Sequence, residues 1–295
     1  MKKAGLFGFL ALATVSFMLS GCGKDQTNGD ISEKGEEKPI VAVTIVPEQT
    51  FVEAVCGDLV KVVTMVPPGS SPESYEPTPK EIEQFSNANL YFTIGVPSEE
   101  AYILPKAKEI DNIKIVPLQD DVAKVYSDRE LAPGERDPHI WLSPKRVIVM
   151  VETIAREMGE ADPANKETYA KNAQSYIEKL KTLDGDIQTV LANVENKKFV
   201  VFHPAFGYLA DDYGLEMFAL EEEGKESTPQ QMQKMIDLAK KENIKVIFYQ
   251  AEISSKQAEA FAEELGGKTV QLEPLAPNYT ENLENMAKLM AEVMQ

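Results

Sequence analysis

Apolar positions recur along this chain with two periods. Short β-branched runs stand at residues 40–46, 61–66, 90–94 and 113–116, and a second set stands at 199–202, 216–220, 246–249 and 268–272. Amphipathic stretches separate the runs, which is the pattern of βα units built around mostly parallel sheets. Helix starts are marked by their chemistry. Thr78-Pro79-Lys80-Glu81 and Thr228-Pro229-Gln230-Gln231 each place a capping threonine, a proline in the first turn and an acid or amide at the third position. Ser254-Ser255-Lys256-Gln257 reads as a third start. The duplicated Thr-Pro device points to two lobes of similar plan.

Between the two strand sets, residues 162–194 contain no strand-like run. Ala164, Tyr169, Ala173, Tyr176, Ile177, Leu180, Leu183, Ile187, Val190 and Leu191 recur at three- and four-residue spacing. The spacing predicts one helix of about 28 to 32 residues, about 45 Å long at 1.5 Å per residue, with Gly185 where a bend would fall. A closing helix carries Leu283, Met286, Met290 and Met294 on one face, and helical repetition marks these methionines as packing and not metal ligands.

The N-terminal region follows a different pattern. Lys2 and Lys3 precede an apolar run over residues 4–18, and then Leu19-Ser20-Gly21-Cys22. This order describes a signal peptide over residues 1–21, and the tetrapeptide resembles a bacterial lipobox, whose cysteine is acylated. Each buried CH₂ of an acyl chain contributes roughly 0.8 kcal/mol, so two chains hold a soluble domain at a bilayer. Residues 22–38 are rich in Gly, Asp, Glu, Lys and Asn and read as a flexible tether. The expected organisation is then an N-terminal α/β lobe over 39–161, a connecting helix over 162–195 and a C-terminal α/β lobe over 196–295.

Formal net charge is −18, and removal of residues 1–21 deletes two lysines and gives −20. That balance argues against nucleic acid and against direct adsorption to anionic lipid, both of which require basic patches. Besides Cys22 only Cys56 remains, so there is no intramolecular disulfide framework, and Cys56 reads as a small core residue.

The candidate chemistry is sparse. Only two histidines occur. His139 lies in Asp137-Pro138-His139-Ile140-Trp141, and His203 directly follows the run at 199–202 and opens His203-Pro204-Ala205-Phe206-Gly207-Tyr208. Two carboxylates hold comparable positions: Glu73 in the loop after the run at 61–66, and Glu273 directly after the run at 268–272. In open α/β sheets ligands gather beyond the carboxyl ends of strands. No local metal motif links four residues spaced this widely, so only the fold can bring them together. Imidazoles with carboxylates suit zinc, with manganese or iron(II) as alternatives.

Three motifs appear in order: Pro68-Gly69-x-x-Pro72-x-x-Tyr75-Glu76-Pro77-Thr78-Pro79, Asp137-Pro138-His139-x-Trp141, and His203-x-Ala205-Phe206-Gly207-Tyr208. With Tyr213-Gly214-Leu215, Ile247-Phe248 and Glu273-Pro274-Leu275, they resemble the zinc/manganese class of solute-binding lipoproteins of ABC importers, over essentially all of residues 39–295. The resemblance implies two lobes with mostly parallel sheets joined by one long rigid helix, a single metal ion in the cleft between them, and delivery to an ABC permease in the cytoplasmic membrane. It implies a lipid-anchored, extracytoplasmic monomer. His139 and His203 match two of the family's ligand positions. Glu273 stands where the family has an aspartate, and Glu73 stands where most members have a histidine.

Either the Glu73 carboxylate binds the ion, or it points away and water fills the gap; Glu76 is the loop-fixing neighbour. The resemblance favours zinc, because His203 is the zinc-type residue at its position. Residues 119–136, which correspond to the histidine-rich loop of many zinc-type members, contain no histidine. Neutral histidine ligands imply that uptake weakens as pH drops through about 6.

Three other readings compete. A zinc hydrolase lacks support, since no His-Glu-x-x-His element, Gly-x-Ser-x-Gly elbow or nucleophilic cysteine is present, and the resemblance implies transport and not an enzyme. An organic-solute receptor would use Trp141, Tyr75 and Tyr208 as cleft walls. An adhesin-like lipoprotein would hold metal incidentally.

Overall fold

A computed structural model describes residues 38–221, 227–252 and 256–294. The expected signal peptide, the expected lipidation site Cys22, nearly all of the expected tether, and Ser254 and Ser255 of the expected third helix start lie outside the described residues. Among those described, no helix is long and apolar enough to cross a membrane.

The first half contains β1 (Ile40–Val43), β2 (Lys61–Thr64), β3 (Leu90–Thr93) and β4 (Lys114–Pro117). They form one all-parallel sheet in the order β2-β1-β3-β4. Between and after these strands come α1 (Val46–Cys56), α2 (Pro79–Phe85), α3 (Leu104–Ala107) and α4 (Leu118–Ala123). A small antiparallel hairpin of β5 (Glu130–Ala132) and β6 (Glu135–Arg136) follows, an element that the sequence pattern did not reveal. The second half has β7 (Lys198–Val201), β8 (Glu216–Ala219), β9 (Val246–Gln250) and β10 (Lys268–Leu272), again all parallel, in the order β10-β9-β7-β8. In each half the first strand lies between the second and third, so the two sheets repeat one topology. The first strand of each sheet is thus a switch point, beyond whose carboxyl end a crevice opens.

The central strands β1, β3, β7 and β9 are almost wholly buried, as expected where helices cover both faces of a parallel sheet. Between the halves run α5 (Pro144–Ala161) and α6 (Lys166–Ala192). The latter spans 27 residues, is preceded by a 3₁₀ turn at Pro163–Asn165, and passes Gly185 unbroken. Its apolar stripe, Tyr169 through Leu191, is buried and packs on α1 and α5. It also packs on α10 (Tyr279–Val293), which follows α7 (Gly207–Tyr213), α8 (Pro229–Lys241) and α9 (Lys256–Glu264). One apolar core includes Phe51 and Trp141 from the first half and Phe199 and Met290 from the second. The described residues from Lys38 onward accordingly make one compact unit, with α6 packed on α1 and α5 of the first half and on α7 and α10 of the second.

Both Thr-Pro devices cap as their sequences dictate. Thr78 Oγ1 accepts from Glu81 N while Glu81 accepts from Thr78 N, and Thr228 with Gln231 repeats the exchange. Such a cap contributes about 1 kcal/mol. Here it also ends the loop carrying Glu73 at a fixed point.

Candidate metal centre

Glu73, His139 and His203 come from three separate segments and meet at one point. Each offers a ligand atom within 4.8 Å of the others, the one such group among the described residues. Each side chain reaches that point for a local reason. Glu73 sits in the loop that leaves β2. The loop is held where Ser98 N donates to Pro72 O at 3.1 Å and where Tyr75 Oη donates to Glu81 at 2.9 Å. His139 lies between β6 and the cap of α5. Its backbone N and ring Nδ1 both donate to Asp137 Oδ1, at 3.0 and 2.7 Å. His203 follows β7 by two residues, at the switch point of the second sheet, and its Nδ1 donates to Glu221 Oε2 at 2.6 Å. Glu221 in turn stands just past β8.

A carboxylate on Nδ1 fixes both the tautomer and the ring, leaving Nε2 free to face a ligand. The two Nε2 atoms lie 3.2 Å apart, and Glu73 Oε1 is 3.7 Å from each. A point equidistant from the three corners of that triangle lies about 2.1 Å from each, the length of zinc–nitrogen and zinc–oxygen bonds. Both rings are buried, with the His139 ring packed 5.2 Å from Trp141.

The supports of His139 extend outward. Asp137 is fully buried, its Oδ2 lies 3.5 Å from Arg129 Nε, and Tyr208 Oη donates to Asp137 O at 2.9 Å. Arg129 also pairs with Asp211 at 2.9 Å. Gly207 is required here, because a Cβ would run into the Arg129 side chain and Asp137 Oδ2.

The charges are arranged around a proton. Burial opposes charge on His203, but the hydrogen bond to Glu221 and the contact with Glu73 push its pKa up to about 9. Burial would raise the Glu73 carboxyl, yet its contact with His203 and the charges of both histidines hold it below its ordinary value. His203 thus carries two ring protons at neutral pH. One goes to Glu221, and the other, on Nε2, faces the space shared with His139 Nε2 at 3.2 Å and Glu73 Oε1 at 3.7 Å. The expectation of a pH threshold near 6 is therefore corrected: flanking carboxylates move the titration of this ring well above that of free imidazole.

Of the other sequence candidates, Glu273 is not in the cluster. Side chains alternate along β10 and its extension. Leu272 and Pro274 face inward, whereas Glu273 is exposed and accepts from Gln271 Nε2 at 3.3 Å. Glu76 is also exposed, and the Ser98–Pro72 and Tyr75–Glu81 bonds hold the loop in the part expected of it. Cys56 is a buried core residue at the end of α1. Trp141 and Tyr208 are buried struts: Trp141 Nε1 donates to Pro274 O at 3.0 Å, and Tyr208 Oη serves the Asp137 turn. Glu221 was missed by sequence reasoning. Its position directly after an apolar strand, like that of His203, is the signal that could have found it.

Comparison with known proteins identifies the family. Residues 41–294 match the family model described as ZnuA, zinc-uptake complex component A, periplasmic. The high-affinity zinc uptake system protein ZnuA of Bacillus subtilis (strain 168) is 32% identical over 289 residues, covering 93% of this chain and 89% of that protein. The zinc-binding lipoprotein AdcA of Streptococcus pneumoniae is 30% identical over 93% of this chain, which spans 56% of that longer protein. A crystal structure of a ZnuA deletion mutant with zinc bound superposes with a TM-score of 0.82 at 35% identity, covering 88% of this chain and 99% of that one. This chain belongs to the ZnuA family of zinc-uptake component A proteins.

Proposed function

We propose that this protein is the lipid-anchored, extracytoplasmic solute-binding component of an ABC importer, and that its cargo is one divalent transition metal ion, zinc in preference to manganese or iron(II). Glu73, His139 and His203 hold the ion, and a permease in the cytoplasmic membrane receives it. The observation that carries this reading is the triangle of two imidazole nitrogens and one carboxylate oxygen, whose centre is one zinc–ligand bond length from all three. Family membership supports the transport role, and the relatives named for zinc support the choice of metal.

The mechanism follows from the protonation pattern. An arriving cation displaces the proton on His203 Nε2, and the Nε2 atoms of both rings then offer it their lone pairs. Asp137 and Glu221 keep the Nδ1 protons and strengthen the rings as donors. Glu73 brings the one formal negative charge. Residues 39–161 and 196–295 act as two lobes in a monomer, and α6 stiffens their connection, so closure is a modest shift. Cys22 and the tether keep the body near the permease. The general stability order places zinc above iron(II) and manganese at a nitrogen-rich site.

Competition decides the metal. Chelator-stripped protein exposed to equimolar zinc, manganese and iron(II) under anaerobic conditions should retain one equivalent of zinc. Preferential retention of manganese would reverse that assignment, and retention of nothing would end the transport reading.

A further inference from the structure

Tetrahedral zinc takes four donors, and the cluster supplies three. The structure offers a specific candidate for the fourth. A cavity of about 10 Å³ is lined by Glu73, His139, Trp141, His203, Gln250 and Pro274, among others. Its volume is that of about one water-sized sphere, so it admits one ion and no organic solute. Gln250 is the last residue of β9 and only 7% exposed, and its Nε2 has no hydrogen-bond partner. A buried amide donor left unmade costs about 1–3 kcal/mol, and proteins keep few such groups. Strand alternation explains its direction: Phe248 and Gln250 share the inward face of β9, next to Leu272 of β10. The same alternation turns Glu273 outward.

We infer that Gln250 supplies the fourth ligand, its amide turned so that Oε1 meets the ion, in place of the residue at position 273. The terminal torsion of glutamine is broad and roughly two-fold, so the turn exchanges Oε1 for Nε2 in nearly the same volume. A cation in the cavity repels the N–H₂ edge and attracts the carbonyl edge. The resulting set is two imidazoles, one carboxylate and one neutral amide oxygen. It leaves a divalent ion with one net positive charge, where a second carboxylate would neutralise it. That residual charge lowers affinity and favours release to an acceptor. This inference rests on the metal-binding reading and refines it.

Cobalt(II) serves as the probe, because its visible bands report the number and type of ligands. The bands and the zinc affinity by chelator competition are measured for wild type, Gln250→Leu, Gln250→Glu and Glu273→Ala, each first checked for an unchanged thermal melt. Gln250→Leu is expected to shift the cobalt bands and weaken zinc by at least about tenfold, within the range for losing a group that supports a site. Gln250→Glu should tighten zinc, and Glu273→Ala should change neither readout. Should Gln250→Leu fail to fold, the near-isosteric Gln250→Glu carries the test, and unchanged bands and affinity there overturn the assignment. Gln250→Leu with wild-type bands and affinity also overturns it, as does a loss confined to Glu273→Ala. Wild-type protein that takes up neither cobalt nor zinc overturns the metal reading beneath it, a different and distinguishable result.

Discussion

The proton on His203 sets a quantitative expectation for zinc binding. With its pKa pushed up to about 9, the ring holds an extra proton at every pH below that value, and an ion must expel it. The sign follows directly: affinity falls as pH falls. Each pH unit below 9 lowers apparent affinity about tenfold, about 1.4 kcal/mol, so pH 7 lies about 100-fold, or about 2.7 kcal/mol, below the plateau. A site governed by free imidazole would be flat above about pH 7. The assay is competition with a chromophoric chelator at half-unit intervals from pH 6.5 to 8.5, corrected for the chelator's own protons. In parallel, a pH-indicator dye in dilute buffer should register about one proton released per zinc at pH 7.5. Glu221→Gln removes the partner that most raises the ring's pKa. It should move the break to lower pH while weakening the plateau affinity by about 10–100-fold. Affinity independent of pH between 7 and 8.5, with no proton released, would refute the extra proton on His203.

Further expectations concern neighbouring groups. Glu48 and Glu99 are buried together beyond β1 and β3; burial first, then the charge of Glu99, raises Glu48 well above the ordinary range, and burial brings Glu99 to about 7. A carboxyl raised in the folded state contributes stability below its unfolded pKa near 4.5 and loses it as pH rises through the folded value, about 3 kcal/mol for Glu99. Glu48→Gln keeps the oxygen that accepts from Thr44 N and Ile45 N, so its urea midpoint relative to wild type should rise steadily from pH 5 to 8; a constant difference would count against the buried proton. Gly207→Ala should displace Arg129 from Asp137, loosen the His139 ring and weaken zinc by about tenfold with the melting temperature lowered only slightly, read by chelator competition and circular dichroism. Glu73→His adds a third imidazole, so zinc should tighten and manganese weaken in the same competition assay, and the reverse order would contradict the donor assignment.

Much of this architecture is legible in the chain itself. The eight parallel strands sit within three residues of the apolar runs, because a strand covered on both faces must be continuously apolar. Both Thr-Pro caps and the long helix are read from single residues and a three-to-four period. The hairpin of β5 and β6 escaped, being short, exposed and polar. Among site residues, the two histidines announce themselves by rarity, and His203 also by its position after an apolar strand. Glu273 looks equivalent along the sequence, but one step of strand alternation decides which face a side chain takes, and that step depends on register with β9. Glu221 and Gln250 are ordinary residues in an acidic chain. Their approach to His203 and to the small cavity is what gives them a role.

The central claim is that one ion binds where Glu73, His139 and His203 converge. Its most direct test is native mass spectrometry of the chelator-stripped protein titrated with zinc, beside His139→Ala and His203→Ala. The account predicts a single zinc adduct at one equivalent for wild type and its loss in both variants, each still folded by circular dichroism. A wild-type protein that retains no zinc, or variants that bind it as tightly as wild type, would contradict the account.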